Sequence, residues 1–77
     1  MGVVAYVLMK LKVGRAEEVL KQVKKLPNVS NAHMVTGIYD IIVTIKVNDL
    51  KELGEVVAEK LHEIEGVSST VTCIVVA

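Results

Sequence analysis

The two halves of this 77-residue chain repeat each other at a spacing of 38 residues, which restricts the fold to architectures that use one supersecondary unit twice. Val3, Ala5, Val7 and Met9 fall on Ile41, Val43, Ile45 and Val47. Val19, Val23 and Leu26 fall on Val57, Leu61 and Ile64. The closing segments also match, Leu26-Pro27-Asn28-Val29-Ser30 against Ile64-Glu65-Gly66-Val67-Ser68. Each copy reads as a β-α-β unit.

Residues 3 to 12 are dense in β-branched and aliphatic side chains and lack the polar positions that a surface helix needs, so they read as a strand ended by Gly14. From Arg15 to Leu26, Ala16, Val19, Leu20, Val23 and Leu26 recur at helical spacing. Glu17 and Glu18 in the first turn and Lys24 and Lys25 in the last agree with the helix dipole. Pro27 stops that helix. A second strand follows over 29 to 36, Gly37 permits a turn, and a third strand runs over 41 to 47. Asn48 or Asp49 caps a second helix whose expected buried stripe is Leu50, Leu53, Val57, Leu61 and Ile64. Gly66 breaks it, and residues 67 to 76 are the fourth strand.

The order β-α-β-β-α-β with two similar halves specifies an α+β fold, a ferredoxin-like sandwich with one four-stranded antiparallel sheet and two helices on one face. Strict alternation sends Val3, Ala5, Val7, Met9 and Leu11 towards the helices and Val4, Tyr6 and Leu8 to the open face. Ile42, Ile74 and Val76 share the second parity, with Thr44, Ser68, Thr70 and Thr72 as a hydroxyl-bearing end of the same face. An apolar patch of that extent marks an interface, so a dimer through the sheets is expected.

Size points the same way. A chain of 77 residues is one small domain that buries only about 60% of its unfolded surface. The single Cys73 closes no intrachain disulfide, and it reads as a small buried residue in the last strand. Burial between subunits is the expected supplement. No apolar run approaches the roughly 20 residues that span a bilayer, and the N-terminus has neither a basic leader nor a myristoylation pattern. A cytoplasmic protein without membrane contact is expected. Net charge is zero but divided: residues 1 to 38 hold six Lys or Arg against Glu17 and Glu18, a balance of +4, and residues 39 to 77 carry −4. That division suits contact between unlike halves of neighbouring copies, or two solvated helix faces. Without Phe, Trp or a clustered basic face, direct nucleic-acid binding is not expected.

Thr36-Gly37-Ile38-Tyr39-Asp40, at the pivot between the repeats, is a polar, glycine-bearing interruption between apolar runs. Gly37 lets backbone N–H groups approach a carboxylate, Asp40 can pair an ammonium, and Tyr39 can close over both, a minimal set for a free amino acid. Ser69, Thr70 and Thr72 would add hydroxyls from the last strand. The same residues also describe a tight hairpin in which Asp40 caps backbone amides.

The Gly37-Ile38-Tyr39-Asp40 turn before an aliphatic strand, together with Thr70-Val71-Thr72 in the last strand, resembles the effector-binding (RAM) domain of the Lrp/AsnC transcription regulators. The resemblance covers essentially the whole chain. It implies dimers through the sheets, rings of dimers, and an amino acid or similar small effector held at subunit contacts beside the turn by Gly37, Ile38, Tyr39, Asp40, Ser69, Thr70 and Thr72. It also implies possible full-length Lrp/AsnC regulators as partners. Two departures stand out. The first strand begins within a few residues of Met1, which leaves residues 1 to 77 as a single domain with no DNA-reading helix, and Val71 occupies a position where the family often has glutamate.

Alternatives from other classes are a purely structural domain that co-assembles with such regulators, an ACT-like amino-acid-binding domain and an enzyme of the dimeric α+β barrel type. An enzyme is not expected, because no nucleophile with a base, phosphate loop or paired catalytic carboxylate stands out. No cofactor or metal is expected: His33 and His62, the latter near Glu59 and Glu63, read as surface histidines.

Overall fold

The structure, a computed structural model, describes residues 2–77. The chain runs β1 (Val3–Leu11), α1 (Ala16–Lys24), β2 (Val29–Met34), β3 (Ile41–Val47), α2 (Leu50–Glu55), a π-helical segment continuing α2 over Val56–Leu61, and β4 (Val67–Ile74). The strands form one antiparallel sheet in the order β2-β3-β1-β4. The expected ferredoxin-like sandwich is what forms. β2 and β4 each stop two residues earlier than the sequence suggested.

The core lies between one sheet face and the helices. Ala5, Val7 and Met9 of β1 and Ile41, Val43 and Ile45 of β3 are fully buried against Val19 and Val23 of α1 and Leu53, Val56 and Leu61 of the second helical stretch. The β1–β3 register pairs Ala5 with Ile45 and Val7 with Val43, as the alternation required. α2 begins with a reciprocal cap: the Asp49 carboxylate accepts from the Glu52 N–H at 2.8 Å and Glu52 accepts from the Asn48 N–H at 2.9 Å.

Strict alternation fails in β4. A bulge lies between Val67 and Ser69, beyond which β4 pairs Ser69 with Lys10, Thr70 with Met9, Thr72 with Val7 and Ile74 with Ala5. One extra residue reverses every later side chain. Thr70, Thr72 and Ile74 therefore share the helix-facing side with Met9, Val7 and Ala5, and the open face receives Ser69, Val71 and Cys73 instead. Cys73 is exposed there, not buried. β2 carries the repeat-equivalent bulge between Val29 and Asn31, so the irregularity belongs to the repeated unit. The open face remains apolar, with Val4, Leu8 and Ile42 partly buried and Tyr6 and Val71 exposed.

The second helix also departs from the expected stripe. Val56 is 2% exposed, Val57 only half-buried, and Leu50 62% exposed. The His62 N–H donates to the Val57 carbonyl five residues back, at 2.8 Å. That wide turn inserts one residue per turn, so the buried positions step from Val56 to Leu61. Gly66, at φ +102°, then turns the chain into β4, and its carbonyl accepts the Lys12 N–H at 2.8 Å.

Because Val56, not Val57, fills the core, Val56→Ala should cost roughly 2 kcal/mol and Val57→Ala well under half of that. Denaturant unfolding of both variants measures it, and the reverse order would put the helix back in its α register.

Candidate functional site

Asp40 fixes the loop between β2 and β3 from three directions. Its carbonyl accepts the Val35 N–H at 2.9 Å, which extends the hairpin one pair beyond Met34, and its own N–H donates to the Met9 carbonyl at 2.9 Å. Its carboxylate Oδ2 accepts the Leu11 N–H at 2.8 Å. β3 begins at Ile41, so its ladder offers Leu11 no backbone acceptor, and the side chain stands in for one. The capping geometry weighed from the sequence is thus present, although its target lies 29 residues away in β1.

The loop itself stays open. Thr36, Gly37 and Ile38 are exposed, Ile38 at 78%, while Tyr39 and Asp40 are partly buried where the chain re-enters the sheet. Gly37 sits at φ +146°, a region that side-chain-bearing residues rarely adopt. With one carboxylate oxygen on Leu11, Asp40 keeps its other oxygen for a second partner.

Ser69, Thr70 and Thr72 do not join this loop within one chain. β1 lies between β3 and β4, so Asp40 and Thr70 flank Met9 from opposite sides, separated by two strand spacings, roughly 10 Å. Facing divides them further. Thr70 and Thr72 point to the helix side, Ser69 to the open face beside Lys10. The last strand is therefore not a neighbour of the loop within its own chain. Among the described residues no three His, Cys, Asp or Glu groups converge as a metal site, and no helix is long and apolar enough to cross a membrane.

A groove of about 440 Å³, absent from the sequence reading, opens between the second helical stretch and β4. Leu50, Leu53, Val57 and Ala58 line one wall, Thr72 and Ile74 the other. Its signal in the sequence is a difference between the repeats, not a motif.

Residues 4–77 match the family model described as the Lrp/AsnC ligand binding domain. The uncharacterized HTH-type transcriptional regulator PF0250 of Pyrococcus furiosus is 41% identical over 58 residues, 75% of this chain and 39% of its own length. The chain spans about two fifths to half the length of the curated relatives it matches. Among solved structures, FFRP-DM1 superposes with a TM-score of 0.92 at 32% identity, covering 96% of this chain and 99% of that one. The transcriptional regulator NMB0573/L-Met complex from Neisseria meningitidis shares the fold, with a TM-score of 0.88 at 21% identity over 97% of this chain and 50% of its own.

Replacing Asp40 with Ala should strand the Leu11 N–H and cost about 1–3 kcal/mol. Gly37→Ala should cost a similar amount through backbone strain alone. Only Asp40→Ala should also speed amide exchange at Leu11, which hydrogen exchange by NMR distinguishes.

Proposed function

The chain belongs to the Lrp/AsnC ligand-binding domain family, and we propose that residues 1 to 77 act as a single small-molecule-sensing module whose effector is an amino acid. The observation that carries this reading is the Gly37–Asp40 turn. It is held rigidly at its base by Asp40 and left exposed at its tip. Backbone N–H groups beside Gly37 suit a carboxylate, the free oxygen of Asp40 suits an ammonium, and Tyr39 borders both. The L-Met complex of a protein with the same fold supports the ligand class.

Ser69, Thr70 and Thr72 enter such a site only from a neighbouring copy, since β1 separates them from the loop in their own chain. The site then belongs to subunit contacts. Dimers form through the open sheet face, where Tyr6, Leu8, Ile42 and Val71 supply an apolar patch. The opposite charges of the two halves favour further assembly of dimers into rings. Effector binding changes that assembly, and the change is passed to full-length regulators of the family. The curated relatives are transcriptional regulators, and an enzymatic role has no support in the site.

A second reading, a structural domain that co-assembles with regulators without ligand, draws on the fact that one oxygen of Asp40 is already used within the fold.

Native mass spectrometry in a mixture of the common amino acids separates the two. An even-numbered assembly carrying one kind of amino acid in stoichiometric amount is expected. Thr70→Val should then weaken that binding about tenfold, the equivalent of one hydrogen bond. The same assembly without adduct leaves the structural reading, and a monomer removes both.

A further inference from the structure

The groove between the second helical stretch and β4 is written into the sequence as a departure from the repeat. Adding 38 to Ala16, Leu20 and Met34 gives Gly54, Ala58 and Thr72, so three groove positions are smaller in the second copy than in the first. Adding 38 to Lys12, Arg15 and Thr36 gives Leu50, Leu53 and Ile74, so the remaining wall is more aliphatic. In the first copy Val19 of α1, the counterpart of groove residue Val57, is fully buried. In the second copy the π turn swings Val57, the counterpart of Val19, out of the core and into the groove wall. The second repeat has been emptied and greased at one place.

That place adjoins an open sheet edge. β4 is the outer strand beside β1. The Val75 N–H donates to the Val4 carbonyl, and in this antiparallel phase Cys73, Val71 and Ser69 also turn their backbone groups to β1. Thr70, Thr72 and Ile74 turn theirs outward. Thr72 and Ile74 therefore offer unpaired N–H and C=O groups at the edge and side chains in the groove. The edge lacks the usual guards, since residues 66 to 77 contain no charge and no proline. The other groove wall belongs to a segment, residues 49 to 65, that holds Asp49, Glu52, Glu55, Glu59, Glu63 and Glu65 against Lys51 and Lys60 alone.

We propose that β4 and this groove form a docking site for an extended peptide segment of a partner protein. The segment adds as a fifth strand, drops aliphatic side chains at alternate positions into the groove and carries basic residues at its ends. Backbone pairing supplies affinity and the groove supplies selection, as in other strand-addition sites. The site lies on the helix side, away from the loop and the open face of its own chain; it shares Thr70 and Thr72 with the effector reading, so the peptide and a neighbouring copy's loop compete for this edge.

The probe is a short capped peptide that alternates valine and threonine between terminal lysines, titrated into the protein and followed by amide NMR. Shifts should concentrate at Leu50, Ala58, Thr70, Thr72 and Ile74, with new exchange protection at the three strand amides. Thr72→Pro removes an outward N–H without breaking a bond to β1, and should weaken binding at least tenfold. The double variant Gly54→Ala, Ala58→Leu returns the residues of the first repeat; a Cβ on Gly54 meets nothing within 4 Å. It should melt no lower than the parent and bind at least tenfold more weakly. Equal binding of an alanine-for-valine peptide, or undiminished binding by the filled variant, overturns the proposal. So do identical shifts from free leucine, and protection of the Thr70, Thr72 and Ile74 amides before any peptide is added, the mark of a second copy already on the edge.

Discussion

Everything in this fold is referred to β1. It is paired on both sides, with β3 through the backbone groups of its odd residues and with β4 through those of its even ones. Its odd side chains, Ala5, Val7 and Met9, are fully buried. A central strand with both ladders occupied has one permissible register on each side, because a slip of one residue would drive polar side chains into the core. Where a neighbour runs out, β1 still needs partners. At Leu11 the β3 ladder has ended, and an unpaired N–H there would cost about 1–3 kcal/mol, which the Asp40 carboxylate avoids. On the other flank β4 meets the same end of β1 through the bulge before Ser69. The placement of the loop and the facing of the last strand are both consequences of completing β1.

The repeat made most of this visible in advance. Element order, the phase of β1 and β3, the cap at Asp49 and the apolar open face all follow from residue spacing and short-range chemistry. Two of the departures fall where a local pattern runs through an irregularity with no compositional mark. Alternation was carried through Ser68, where a bulge reverses it, although the repeat held a correction: Ala32, buried on the helix side, corresponds to Thr70. The helical stripe was carried through Val56 and Val57, two identical residues that give periodicity no means of choosing between α and π registers.

The candidate site was legible as a turn but not as an assembly. Gly37 and Asp40 announce a tight connection by residue type alone. The partner of the Asp40 side chain lies 29 positions away, and strand order, which decides whether the last strand can reach the loop, is a long-range property. The hydroxyls of Ser69, Thr70 and Thr72 looked convergent because their separation in sequence matched a motif. β1 stands between them and the loop in space.

A repeat of this kind gives two nearly equivalent places for chemistry and reasons to use them differently. The first unit closes its helix onto β2 with Leu20, Val19 and Ala32. The second keeps the scaffold but spends its side-chain volume elsewhere, leaving an aliphatic groove beside β4. The loop lies at the end of the sheet, and its anchor touches Met9 and Leu11, whose chain neighbours Leu8 and Lys10 face the open side. One strand therefore connects loop, core and prospective interface. A ligand at the loop alters assembly only through a difference in its contacts between the free and assembled states. β1 is the element able to carry such a difference, because the bonds that hold Asp40 and the side chains that would meet a second copy alternate along the same few residues.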